Sequence, residues 1–416
     1  MLAIQHWQTK RGADVYFVAS RQLPMVDISV VFNAGSARDG IHSGLAYLTQ
    51  ALLDQGTKTL NVDQIADRFE RIGAIYSHAV DRDKAIFHLR SMSDSHLSEA
   101  IQTMTYVLSQ ASFPHNACMR AQKNLRVALQ EQQQIPEQIA MNAFYHDLYT
   151  DHPYAQPVLG TTETVDTITD EDIIHFYREF YVAKNATIAI VGDLSLEKAR
   201  ALSEELLNTL PSGSAAPALP DPSITTKKNK TNTVHAIAYP SQQTTLIIGA
   251  LGTNYQDPDY LALLVGNYSL GGSALTSRLF HRVRNEQGLC YGISSQFIPH
   301  QVTGPFFIQL QTRTQQASKA LHETEQILKQ FSEQGPTIDE LRAAQRALLG
   351  RLPLLLASNE GILNLLELIG FYHLPLDYLE KYRKSVSQLT LQRIHSAYLR
   401  RIEKNKLIVV SVGVLV

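Results

Sequence analysis

Apolar and polar positions recur with two periods along the chain, and the change of period separates short strands from longer helices. Ala13–Ser20 and Val26–Asn33 are rich in β-branched and apolar residues and are expected as strands. After the turn Ala34-Gly35-Ser36-Ala37-Arg38-Asp39-Gly40, the residues Leu45, Leu48, Leu52 and Leu53 return at helical spacing, so Ser43–Thr57 reads as a helix with one inward face. Ser43 stands where an N-cap belongs and Gly56 where a C′ stop belongs. A helix over Val62–Ile72 stops at Gly73, and Ile75–Ser91 reads as a hairpin turning at Asp81-Arg82-Asp83-Lys84. Helices are expected over His96–Ser109, Asn116–Gln134, Glu137–Tyr149, Asp170–Phe180 and Leu196–Leu210, with Pro136 as a break and Ala186–Val191 as a strand.

Pro211–Asn232 interrupts this pattern with four prolines and the patch Lys227-Lys228-Asn229-Lys230, which reads as a linker with a solubilising patch. Beyond it the plan repeats. Strands Thr233–Tyr239 and Thr244–Leu251 lead to helices Tyr260–Ser269 and Ala274–Glu286, then to a hairpin over Leu289–Thr312. Helices Gln316–Gln334, Ile338–Leu349, Ile362–Phe371, Leu376–Ser387 and Leu391–Arg400 follow, and Leu407–Val412 closes as a strand. Ile174-His175 recurs as Ile394-His395 and Lys184-Asn185 as Lys404-Asn405, both at an offset of 220 (394 − 174). Two homologous α+β halves are therefore expected, 1–210 and 233–416, joined by 211–232.

Composition narrows the class. With 416 residues the chain is too long for one core, and 44% hydrophobic against 18% charged residues is the balance of a folded chain. The net charge of −2 suggests no polyanionic partner, so no nucleic acid is expected. No apolar run approaches the roughly 18 residues of a membrane span, so no integral membrane segment is expected. Met1–Trp7 shows no basic region leading into an apolar core, so no leader is read there. Cys118 and Cys290, far apart, support neither a disulfide framework nor a metal cluster.

The chemistry lies in two stretches. In the first, Tyr47, Gln50 and Ala51 stand at i, i+3 and i+4 and share one helix face. Gly44, Ala46, Gly56 and Thr57 around them resemble the zinc peptidases with the inverted motif His-x-x-Glu-His, the pitrilysin and mitochondrial-processing-peptidase family. Tyrosine, glutamine and alanine occupy the positions of the two ligands and the general base. None supplies an imidazole or a proton-accepting carboxylate, so this helix cannot hold zinc. The family's third ligand, a glutamate some 76 or 77 residues later, would fall at Val127 or Ala128, with Glu131 one turn away; none of these completes a site. His146, His152 and the other histidines are scattered and suit surface or core roles.

The second stretch runs Gly271-Gly272-Ser273, then Ser277-Arg278-Leu279-Phe280-His281-Arg282-Val283-Arg284-Asn285-Glu286-Gln287-Gly288-Leu289-Cys290-Tyr291. It is similar to the family's Ser-Arg-Leu-Phe…Arg…Gly…Tyr segment. Arg284 falls in the last turn of a helix, Gly288 supplies the left-handed exit, and Tyr291 emerges early on the next strand. Read alone, Arg284 serves a helix C-terminus and Tyr291 is a half-buried strand tyrosine. The resemblance gives both another role, as donors to the oxyanion of a scissile carbonyl. The glycine pair lacks the Gly-Lys-Ser/Thr ending of a phosphate loop.

The resemblance covers nearly the whole chain and implies two halves, each a mostly antiparallel sheet covered by helices, facing each other around a cavity. It also implies a zinc-free subunit, inactive alone, of a heterodimeric zinc endopeptidase acting on peptides. Arg284 and Tyr291 would then act in trans, zinc would sit in a homologous partner, and this chain would hold no cofactor. A structural or assembly subunit without a peptidase role is the alternative, and a self-sufficient zinc peptidase is a third reading. A homodimer of the isolated chain stays open. Bacterial pairs of this kind point to the periplasm, with the cytoplasm as alternative.

Overall fold

A computed structural model describes residues 2–94, 96–222, 233–402 and 407–414. The lysine patch at 227–230 and the pair Lys404-Asn405 lie outside the described residues. The chain divides into two compact units. Unit 1 comprises Met1–Leu129, Gln156–Ala218 and Pro353–Leu376, and unit 2 comprises Gln130–Ala155, Leu219–Leu352 and Asp377–Val416.

Unit 1 is built on a sheet of β1 (Gln5–Gln8), β2 (Asp14–Ala19), β3 (Met25–Phe32), β4 (Ile75–Val80), β5 (Ala85–Met92) and β6 (Ala186–Gly192). Its order is β1-β2-β6-β3-β5-β4, antiparallel except where β2 runs parallel to β6. Unit 2 carries β7 (Thr233–Ala238), β8 (Gln243–Leu251), β9 (Cys290–Phe297), β10 (Pro305–Arg313) and β11 (Ile408–Gly413) in the order β7-β11-β8-β10-β9. Only β7 and β11 are parallel in it. The second order reproduces β2-β6-β3-β5-β4, so the duplication expected from sequence is present strand for strand, with β1 as an addition. The expected α+β class with mostly antiparallel sheets holds, each sheet being mixed through one parallel pair.

The register of the repeat is 221, not 220. Thr169 and Thr390 cap their helices through the amides of Asp172 and Arg393, and Ile173 and Ile394 are both fully buried. Tyr177 and Tyr398 (398 − 177) both bury their rings and donate to a backbone carbonyl, that of Leu108 at 2.8 Å and that of Leu263 at 3.1 Å. Ile174, matched to Ile394 by the dipeptide likeness, is only half-buried.

Each unit covers one sheet with a helix drawn from the other side of the proline-rich stretch, so the compact bodies differ from the contiguous division 1–210, 211–232 and 233–416. In unit 1 the helix Asn359–Phe371 lies on β2, β3 and β6. Glu367 meets His88 at 2.7 Å, the Asn359 amide donates to Asp27 at 3.1 Å, and Arg90 holds the same Asp27 at 2.5 Å. In unit 2 the helix Pro136–Tyr149 lies on β8 and β11. Phe144 packs edge-on against Phe307 with centroids 5.8 Å apart, and Asp147 pairs with His235 at 2.7 Å. His146, exposed, lies 3.3 Å from Asp147, and His152, buried, bonds the Pro220 carbonyl, the surface and core roles expected of them.

An ion cluster fastens the last helix of unit 2. Buried Asp259 meets Arg400 at 2.7 Å and Arg393 at 3.3 Å, with Arg401 at 3.4 Å. The Arg400 hydrogen bond, against the effect of burial, holds its carboxyl below the usual carboxylate range. A depressed carboxylate contributes stability above its unfolded value, near pH 4, and loses it as pH falls through the folded value. Asp259→Ala is expected to cost about 2–3 kcal/mol at pH 7, less than a fully buried pair because the arginines stay partly hydrated. The cost should shrink below pH 4, as denaturant titrations at both pH values would show.

Candidate functional site

The helix α1, Leu45–Leu52, carries the first stretch, and its N-terminus is held from outside. Gly44, at φ 99°, is the cap residue and offers no side chain. The carboxylate of Asp39 accepts instead from the Gly44 amide at 2.7 Å and the Ala46 amide at 2.8 Å. Burial pushes Asp39 up to about 8 against the pull of these amides. Ser43, the expected cap, donates its hydroxyl to the Pro157 carbonyl at 3.0 Å. The helix also ends at Leu52, before Gly56 can act as its stop. The N-terminal correction has a cause: the cap comes from five residues upstream, a distance that local spacing does not report.

The three motif positions separate. Tyr47 and Ala51 line a cavity of about 230 Å³. Gln50 is 2% exposed, and its amide donates to the Ile86 carbonyl of β5 at 3.3 Å. Opposite stands the helix α2, His115–Gln132, which presents Ala117, Arg120, Ala121, Asn124 and Leu125 to the cavity. Val127 and Ala128 are not among the lining residues, whereas Asn124, one turn earlier, is. The polar side chains that line the cavity, Tyr47, Gln55, Asn124 and Arg120, do not fit zinc, which takes imidazole, thiolate and carboxylate. Beside the cavity, burial raises and hydrogen bonds from His78 and Gln55 lower Asp54, which ends below the usual carboxylate range.

The second stretch brings its two residues together. The expected helix over Ala274–Glu286 is a shorter π-helical turn, Phe280–Glu286. It closes in a left-handed αL motif: the Gly288 amide donates to the Arg284 carbonyl, and the Leu289 amide reaches back to the Val283 carbonyl, both at 3.0 Å. Gly288 sits at φ 61° as the left-handed residue, and Val283 and Leu289 are buried as the accompanying apolar pair. Across this turn the Arg284 guanidinium lies 4.5 Å from the Phe280 ring centroid and 5.4 Å from that of Tyr291. Tyr291 is 90% exposed, contrary to its reading as a half-buried strand tyrosine.

The neighbouring arginines are engaged elsewhere. Arg278 grips Glu340 with two bonds of 2.6 and 2.7 Å, and Arg282 pairs with Glu286 at 2.6 Å. Arg284 has no carboxylate partner among the described residues. It is fixed by stacking alone, which leaves its N–H fork available beside an exposed phenol. Burial pushes the Cys290 thiol up to about 11 against the pull of Arg284. Gly271 serves packing: a Cβ there would lie 2.4 Å from Ser295 Oγ on β9, so the glycine pair is no phosphate loop. Sequence reasoning missed Asp39, Arg120 and Asn124. The only signal was their spacing on elements that meet in space.

Residues 15–162 match the family described as "Insulinase (Peptidase family M16)", and residues 167–348 match "Peptidase M16 inactive domain". A Pseudomonas fluorescens structure described as a peptidase M16 inactive domain is 35% identical, with a TM-score of 0.95 over 100% of this chain and 98% of that one. A Helicobacter pylori relative described as "Non-peptidase homolog YmxG" is 26% identical over 97% of this chain and 93% of its own. An uncharacterized zinc protease of Rickettsia bellii is 24% identical over 78% and 77% of the two chains. The chain belongs to peptidase family M16. Tyr47, Gln50 and Ala51 stand at its zinc-motif positions, and no single helix among the described residues is long and apolar enough to cross a membrane.

Proposed function

We propose that this chain is the zinc-free subunit of a heterodimeric M16 metalloendopeptidase acting on peptides, with zinc in a homologous partner that carries His-x-x-Glu-His. The observation that carries the reading is the contrast between the two stretches. The metal side lacks every ligand, whereas Arg284 and Tyr291 are held together with their donors unspent. In the mixed complex these two donate hydrogen bonds in trans to the oxyanion developing on the scissile carbonyl, and the chain forms half of the peptide-binding chamber. The reading includes the periplasm as location, which fractionation would distinguish from the cytoplasm.

The test is reconstitution with a zinc-motif homologue. Peptide cleavage is expected from the mixture and from neither chain alone. Equal cleavage by the zinc-motif chain without this one would favour the alternative, a structural or assembly subunit. A second expectation concerns metal: treating this chain alone with EDTA leaves its Tm unchanged within about 1 °C, because nothing bound to the folded state is removed. The same treatment abolishes cleavage by the pair. Differential scanning fluorimetry and a peptide assay read the two outcomes.

A further inference from the structure

We propose that the cavity beside the degenerate motif binds a carboxylate, anchored by Arg120. At about 230 Å³ it falls below the roughly 300–1,000 Å³ of pockets that bury a drug-sized ligand, so it suits one chain end or one side chain. Leu48 and Leu125, both buried, form an apolar floor. Alanine at 51, 117 and 121 keeps the space open.

Four donor side chains border it: the Tyr47 phenol, the Asn124 amide, the Arg120 guanidinium and the Gln55 amide, the last bonded to Asp54. Among the described residues Arg120 makes one hydrogen bond, to the Asn116 carbonyl at 3.4 Å, and has no carboxylate partner. Acids in the same region are already taken. Asp54 meets His78 and Gln55, Asp166 meets Arg126, and Asp170 meets His115. The exposed Arg120 fork is thus left to solvent, open to an acceptor that a ligand brings. A guanidinium fork flanked by neutral donors matches a planar, singly charged carboxylate, whereas a dianionic phosphate would leave one charge unmet. No acid lines the cavity, which removes a cation from consideration.

The site lies wholly within unit 1, so this inference requires neither Arg284, Tyr291 nor a partner subunit. Calorimetric titration of the full chain tests it with acetyl-Ala-Ala-Leu as free acid, the same peptide as amide, and acetyl-Ala-Glu-Ala amide. At least one acidic peptide should bind about tenfold or more tighter than the neutral amide. Preference for the free acid identifies a chain end, and preference for the glutamate peptide a side chain. Arg120→Gln, at an exposed position, should abolish the preference with Tm unchanged, and Asn124→Asp should abolish it by repulsion. Equal affinity for all three peptides, or a preference that survives Arg120→Gln, overturns the proposal.

Discussion

Arg284→Ala in the reconstituted pair is expected to lower kcat about 100- to 1,000-fold, with a much smaller change in KM. That is the usual consequence of removing one preorganised oxyanion donor, because the interaction strengthens only as charge develops in the transition state. Tyr291→Phe should give a loss of the same order through the hydroxyl alone. The ring that stacks on Arg284 is retained, so this variant separates donation from positioning. Arg284→Lys keeps the charge but loses the planar fork and should recover part of the activity. Arg282→Ala is the control: two residues away, its guanidinium is spent on Glu286, and kcat should not move. Losses in the double variant need not add, since the two donors share one oxyanion. If Arg284→Ala and Tyr291→Phe both cleave peptides as fast as the parent pair, the assigned roles are wrong.

Cutting the chain within 223–232 and producing the pieces separately should leave neither folded. The N-terminal piece would lack Asn359–Phe371, the helix that covers its sheet, and the C-terminal piece would lack Pro136–Tyr149. Ile362, Leu363, Leu365, Leu366, Ile369 and Phe371 are all buried in the intact chain, and each is worth about 1.5–3 kcal/mol on burial. Their sum is comparable to the whole net stability of a domain, about 5–15 kcal/mol. The separate pieces should bind hydrophobic dyes and lack a cooperative thermal transition, whereas co-production should restore one. Two pieces that each melt cooperatively would show that the sheets do not depend on the exchanged helices. A point probe of the same contact is Gly370→Leu, because even a Cβ there would lie 2.5 Å from Thr187 and 2.7 Å from Tyr16.

The repeat was legible because apolar periodicity and turn residues are local, and strands such as β3 and β8 announce themselves by composition. What was not legible depended on partners distant in sequence. β1 is only four residues with one buried side chain, Trp7, too short for a period to show. The exchange of helices leaves no trace in either helix's own pattern, since an apolar face does not name the sheet it will cover. The Arg284–Tyr291 pair could be read because a single turn separates its members. The cavity needed α1 and α2 docked before Arg120 and Asn124 acquired meaning.

The left-handed turn at Gly288 works as a spacer gauge between helix and strand. At φ 61° it fixes the angle through which the chain leaves the π-helical turn, and with it the separation of guanidinium and phenol. A relative that kept both side chains but replaced this glycine, or changed the loop by one residue, would present its two donors out of step with a common acceptor. Activity would then vanish with every reacting group still in the sequence.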